Sequence, residues 1–167
     1  MSQSKELIEH VASQFYEKYV PEYFLTITFG PQDKIDDVYE WNHKFDLHLF
    51  GLLAGIKMEI DRAIGNRQGK YTNDFPYILI PEKKTSNGHD APYHVHGLFF
   101  QTPHSIKVWN RRNIIHQRVM KYLRKRGFDH AVLELEEVYM KKESIHYVLK
   151  DFDRNVEKSI FSGCEWQ

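Results

Sequence analysis

Pro92-Tyr93-His94-Val95-His96-Gly97-Leu98-Phe99-Phe100 constrains the fold more than any other stretch, because it sets two imidazoles two residues apart in an apolar run. On a strand, residues at that spacing share one face. The flanking Val95, Leu98, Phe99 and Phe100 mark the strand as central rather than peripheral. Gly97 omits a side chain where a ligand or another backbone could approach closely. Two neutral imidazoles on one face bind a divalent cation when a third ligand, usually a carboxylate, comes from a neighbouring element. The plain alternative is a pair of histidines on a polar sheet face.

The rest of the chain supplies partners for that strand. Leu7, Ile8, Val11, Phe15 and Tyr19 recur at helical spacing after Ser4, a candidate cap, and predict an N-terminal helix within 1–20. Tyr23 to Phe29 alternates as a strand, with Thr26 and Thr28 on one face, before Gly30-Pro31 breaks the run. From Trp41 the apolar positions Phe45, Leu49, Leu52, Leu53, Ile56, Ile60 and Ile64 predict one long helix with a stop at Gly65-Asn66. Phe75 to Pro81 reads as a strand forming a long-looped hairpin with the histidine strand. Asn110 is placed to cap a helix carrying Ile114, Ile115, Val119, Tyr122 and Leu123 and stopped at Gly127. A strand over Ala131 to Val138 and a helix with Ile145, Val148, Leu149 and Phe152 follow, and 157–167 reads as a flexible tail.

This order predicts an α+β fold with a central antiparallel β-sheet of about five strands, ferredoxin/RRM-like, and helices packed mainly on one face. The other face is then free for a site. With 167 residues the chain suits one domain over 1–167. One cysteine, Cys164, excludes an internal disulfide and a cysteine-based zinc site, and fits a reducing compartment. No apolar leader or bilayer-length run is present, so a cytoplasmic protein without membrane contact is expected.

Glu82 lies just past the predicted hairpin strand, where its carboxylate can return over His94 and His96. Mixed imidazole and carboxylate ligation suits Mn²⁺, Mg²⁺ or Zn²⁺. Tyr147 and Lys150 are three apart on the last helix and share a face, so a phenol and an amine can point at one phosphate. The balance of 23 basic and 23 acidic residues hides a local bias. From Lys107 to Arg126 there are eight basic residues and no acidic one, a pattern suited to phosphate contact. Arg111, Arg112, Arg118, Lys121 and Lys125 are the candidate DNA contacts there. Trp109 and Tyr122 lie among them, either as stacking platforms or as core.

Together these segments resemble the HUH family of replication initiators and relaxases, over roughly Tyr23 to Asp151. Tyr23-Phe24-Leu25-Thr26-Ile27-Thr28-Phe29 is similar to the family's first strand motif. Pro92-Tyr93-His94-Val95-His96-Gly97-Leu98 resembles its His-hydrophobe-His motif, Pro81-Glu82 stands where many members carry the third ligand, and Tyr147-Val148-Leu149-Lys150-Asp151 resembles its YxxK motif. The resemblance implies an endonuclease that starts rolling-circle replication on single-stranded DNA, with an origin hairpin as a possible element of its target. Tyr147 would be the nucleophile that forms a 5′-phosphotyrosine link, Lys150 would position the phosphate, and Glu82, His94 and His96 would hold Mn²⁺ or Mg²⁺. Position 143 is Glu, which implies a single-tyrosine member. No Walker-type loop occurs, so a host helicase is the expected partner. The alternatives are a transposase of the same superfamily and a noncatalytic DNA-binding module on the same fold.

Overall fold

Alternation decides the sheet. In strand β1 (Pro21–Thr28) the buried Tyr23, Leu25 and Ile27 alternate with the less buried Phe24, Thr26 and Thr28, so its two faces have different partners. Strand β2 (Tyr77–Lys84) and strand β3 (Asp90–Phe100) are apolar on both faces over much of their length, as strands enclosed between layers must be. The computed structural model describes residues 3–30, 37–65, 75–84, 89–149 and 159–162. With strand β4 (Val132–Glu137) and strand β5 (Ile160–Ser162), the sheet order is β4-β1-β3-β2-β5. All pairings are antiparallel.

Four strands of 6 to 11 residues form the body of this open sheet, where about five were expected. β5 adds 3 residues at the edge of β2, inside the stretch expected to be a loose tail. β3 lies in the middle, as the histidine run predicts.

The helices are α1 (Gln3–Lys18), α2 (Val38–Asp46), α3 (Leu49–Ala63), α4 (Ser105–Asn110), α5 (Arg112–Lys125) and α6 (Lys141–Leu149). One core packs Leu25, Ile27, Leu79, Val95 and Phe99 of the sheet against α3 and α5. A second joins Ile78, Ile80, Leu98 and Phe100 to Ala12 of α1 and to Ile145 and Val148 of α6. Helices therefore cover both faces rather than mainly one. The reason is the second set of apolar strand residues, which water would penalise by roughly 25 cal/mol for each Å² left exposed.

The single helix expected from Trp41 to Ile64 is two. The chain turns at Leu47 and His48, where the His48 N–H donates to the Phe45 carbonyl at 3.0 Å. Asn42 fixes α2 to β3: its amide donates to the Ala91 carbonyl at 2.9 Å and its carbonyl accepts from the Tyr93 N–H at 3.1 Å. The Tyr93 hydroxyl donates to Asp46 at the end of the same helix. Burial, followed by the bond to Asp46 and its charge, pushes the Tyr93 phenol above its ordinary range. Asn110 does not cap α5; it ends α4, and Arg111 stands between the two helices without a side-chain cap bond. Ser4 likewise lies inside the first turn of α1 rather than ahead of it.

Gly97 does serve a close approach, but on the core side. A Cβ there would lie 3.0 Å from Leu79 Cδ2, 3.1 Å from the Ile78 carbonyl oxygen and 3.2 Å from Leu25 Cβ. Gly127 closes α5 with φ 91°, a left-handed conformation that favours glycine. Among the described residues, no helix is long and apolar enough to cross a membrane.

Candidate metal centre

β2 continues through Pro81, so Glu82 is within the strand rather than past it, and stands directly opposite His94 in the antiparallel register. Directly opposed residues share a sheet face. His96 follows two positions on, so all three side chains rise from the same side. Glu82 and His96 are buried, at 3% and 5% exposure, while His94 is partly open.

One carboxylate oxygen joins the group: Glu82 Oε2 lies 3.2 Å from His94 Nε2 and 2.9 Å from His96 Nε2. One potential ligand atom from each residue lies within 4.8 Å of the others. The outer nitrogen of His94 defines its tautomer. His94 Nδ1 is 3.2 Å from the Pro92 carbonyl oxygen, which only accepts, so this nitrogen carries the proton. That tautomer leaves Nε2, on the side of Glu82, as the nitrogen available to a metal. His96 Nδ1 lies 3.4 Å from Thr26 Oγ1, whose hydroxyl rotates to suit either tautomer. With its proton on Nδ1, His96 also offers Nε2, and Glu82 Oε2 and the two Nε2 atoms can then share one divalent cation. Glu82, His94 and His96 thus form a group fit to hold a metal ion.

The second core brings α6 over this face. With Ile145 and Val148 buried against the sheet, Tyr147 projects beside the histidines and stays 45% exposed. Its ring lies 5.1 Å from that of His96 and 6.0 Å from that of Phe24. Phe24 is itself 5.3 Å from His96, so the three rings form a cluster at the margin of the metal group. Lys150 and Asp151 lie outside the described residues.

The basic candidates are placed elsewhere. Ile115, Val119 and Leu123 anchor α5 in the first core, on the sheet face away from Glu82, and α5 holds Arg112, Arg118, Lys121 and Lys125, with Arg111 preceding it. Arg118 Nε pairs with Glu59 at 3.0 Å, and the Arg111 guanidinium donates to the Ala63 carbonyl at 3.4 Å. Arg112 lies over the ring of Trp109, 4.6 Å from its centre. Trp109 stacks on Tyr23 at 5.2 Å, and Tyr122 packs on the first core. Both are partly buried residues packed against the first core.

Two site features escaped the sequence reading. Thr26 was placed on one face with Thr28, and register alone would have set it opposite His96. Acidic residues also flank the tyrosine: Glu136, Glu137 and Glu143 line an open cleft with Phe24 and Tyr147. Comparison of the chain with protein-family models, with curated proteins and with solved structures finds no match, and the functional reading therefore rests on the geometry of these side chains.

Proposed function

We propose that this protein is a metal-dependent, single-tyrosine endonuclease and strand transferase of the HUH replication-initiator type, acting on single-stranded DNA. The observation that carries the proposal is the placement of Tyr147, its ring 5.1 Å from that of His96, on the face where Glu82, His94 and His96 converge. The antiparallel order β4-β1-β3-β2 with the histidines on its middle strand supports a ferredoxin/RRM-like arrangement of the kind this reading needs.

Glu82, His94 and His96 would hold Mn²⁺ or Mg²⁺. When bound, such an ion neutralises charge developing on a phosphate and orients it. The Tyr147 oxygen attacks the phosphorus of a phosphodiester, forming a tyrosyl O–P bond as the bond to the 3′ oxygen breaks. The phenol gives up its proton and the departing 3′ oxygen takes one up, leaving a 5′-phosphotyrosine and a free 3′-hydroxyl. Reversal of the same step joins strands. Phe24 and His96 pack together against one side of the tyrosine ring, which restricts where its oxygen can reach. Lys150, three residues beyond Tyr147, would position the phosphate. The setting is the cytoplasm of a host cell, with a host helicase recruited to unwind the template.

A noncatalytic DNA-binding module is the second reading, favoured by the basic residues lying across the sheet from the metal group. Incubation with mixed-sequence single-stranded oligonucleotides, origin DNA included, and Mn²⁺ separates the two on a denaturing gel. The nuclease reading expects a DNA-shifted protein band. Tyr147→Phe removes that band while retaining DNA binding, and an adduct persisting in this variant eliminates Tyr147 as nucleophile. His96→Ala lowers adduct formation by at least the roughly 10- to 100-fold that loss of an outer-shell metal partner costs. Binding without an adduct across metals and DNAs favours the module.

A further inference from the structure

A cleft of about 530 Å³ opens in the first-core layer, across the sheet from Glu82, among α2, α3 and the turn after α5. Its wall is aromatic. Trp41 and Phe45 stack with centroids 4.8 Å apart and planes 12° apart, and Phe128 meets Phe45 edge-on at 5.4 Å. One lining residue, Gly51, is an exposed glycine where an added Cβ meets nothing within 4 Å. Glycine weakens a helix relative to alanine, and at this position of α3 a long side chain has room to reach over the cleft.

The titratable groups lining the cleft are Lys44, His48 and Arg126, with no carboxylate among them. Lys44 pairs with Glu40 one turn back at 3.0 Å, both side chains well exposed, a surface contact that an incoming anion readily replaces. Arg126 ends the run of eight basic residues and lies 5.2 Å from the centre of the Tyr122 ring. A flat wall rimmed by cations matches a ligand with a flat ring and a negative charge.

We propose that this cleft binds a nucleotide, its base against Trp41 and Phe128 and its phosphate toward Lys44 and Arg126. Bases stack on aromatic side chains whatever their identity, and the volume suits a ligand of this size. The proposal stands apart from the nuclease reading, because neither Tyr147 nor the metal group contributes to it. The same chemistry could come from a free mononucleotide or from one nucleotide of a strand.

The test uses the full chain, a short fluorescein-labelled mixed-sequence oligonucleotide, and dAMP, adenosine and deoxyribose 5-phosphate as competitors. Gly51→Leu places a bulky good helix former at the edge of the cleft, and an unchanged circular dichroism spectrum and urea midpoint verify that the fold is retained. Gly51→Leu is expected to weaken oligonucleotide binding by roughly 5- to 150-fold, the loss of one base–aromatic stack, and Arg126→Gln to weaken it further. Competition by dAMP, with adenosine and deoxyribose 5-phosphate much weaker, supports a free nucleotide as ligand. Weakened oligonucleotide binding in Gly51→Leu without competition by dAMP supports a nucleotide within a strand. Equal binding by wild type and Gly51→Leu overturns the proposal, as does an absence of binding to either probe or competition by adenosine as strong as by dAMP.

Discussion

Glu82 is the residue on which the metal group depends, since its Oε2 is the atom that both imidazoles approach, at 3.2 and 2.9 Å. A carboxylate at 3% exposure costs several kcal/mol of desolvation unless positive charge is held beside it. Glu82→Gln keeps the shape and removes the charge. Mn²⁺ should then raise the melting temperature far less than in the wild type, with each tenfold loss of affinity removing about 1.4 kcal/mol of ligand-linked stability at saturation. An equal Mn²⁺ shift in Glu82→Gln would exclude Glu82 as a ligand. The two histidines were legible from their spacing alone. Glu82 was legible as a partner of the two histidines but not as a strand residue, because proline usually ends a strand. β5 pairs only with Tyr77, Ile78 and Leu79, so at Pro81 that side of β2 is an edge among the described residues, where a missing N–H is tolerated.

At the scale of elements, packing on both faces of β3 explains why this strand carries a glycine. A Cβ added at Gly97 would press against Leu79 and the Ile78 carbonyl at 3.0 and 3.1 Å, between neighbours held on both sides. Gly97→Ala should destabilise the protein by about 1–3 kcal/mol, read as a lower midpoint in urea. A midpoint equal to the wild type's would mean the sheet opens there without strain. β1 carries a second prediction. Burial above all, then the charges of Glu22 and Glu137 and the bond to Glu22, raise the Tyr23 phenol above its ordinary value. A raised folded-state value contributes stability that is fully present below the unfolded value of about 10 and fades as pH rises past it. Tyr23→Phe should therefore flatten the loss of stability above that pH, and an unchanged alkaline limb in urea titrations would refute the assignment. The strands were legible because period-two alternation survives wherever the faces differ, as in β1. The division of α2 from α3 was not. Phe45 and Leu49 keep a helical spacing across the break, and what turns the chain is tertiary: Asn42 bonds to Ala91 and Tyr93, 49 and 51 residues away.

Over the whole molecule, the zero net charge is a sum of two opposed surfaces. Arg118, Lys121, Tyr122 and Lys125 of α5 line a recess with Glu59 of α3, whereas Glu136, Glu137 and Glu143 stand beside Tyr147. The run of one sign was legible in the sequence. Its location was not, because only the burial of Ile115, Val119 and Leu123 in the first core decides which side of the sheet α5 covers. On the proposed function, an anionic strand would be drawn to the basic layer and repelled near the tyrosine, so that affinity and reactivity would be carried by different faces. The double reversal Lys121→Glu with Lys125→Glu should weaken single-stranded DNA binding at least tenfold at low salt. Losing two phosphate contacts should also flatten the slope of log K against log salt by roughly 1.4, at about 0.7 for each contact to a single strand. The Mn²⁺-dependent melting shift should be untouched, because the metal group lies across the sheet. If the reversal leaves both affinity and salt slope unchanged, the basic layer is a solvated surface and the strand is held at the tyrosine face in spite of its carboxylates. If instead the Mn²⁺ shift falls with the affinity, the two faces are coupled through the sheet and the separation argued from burial is wrong.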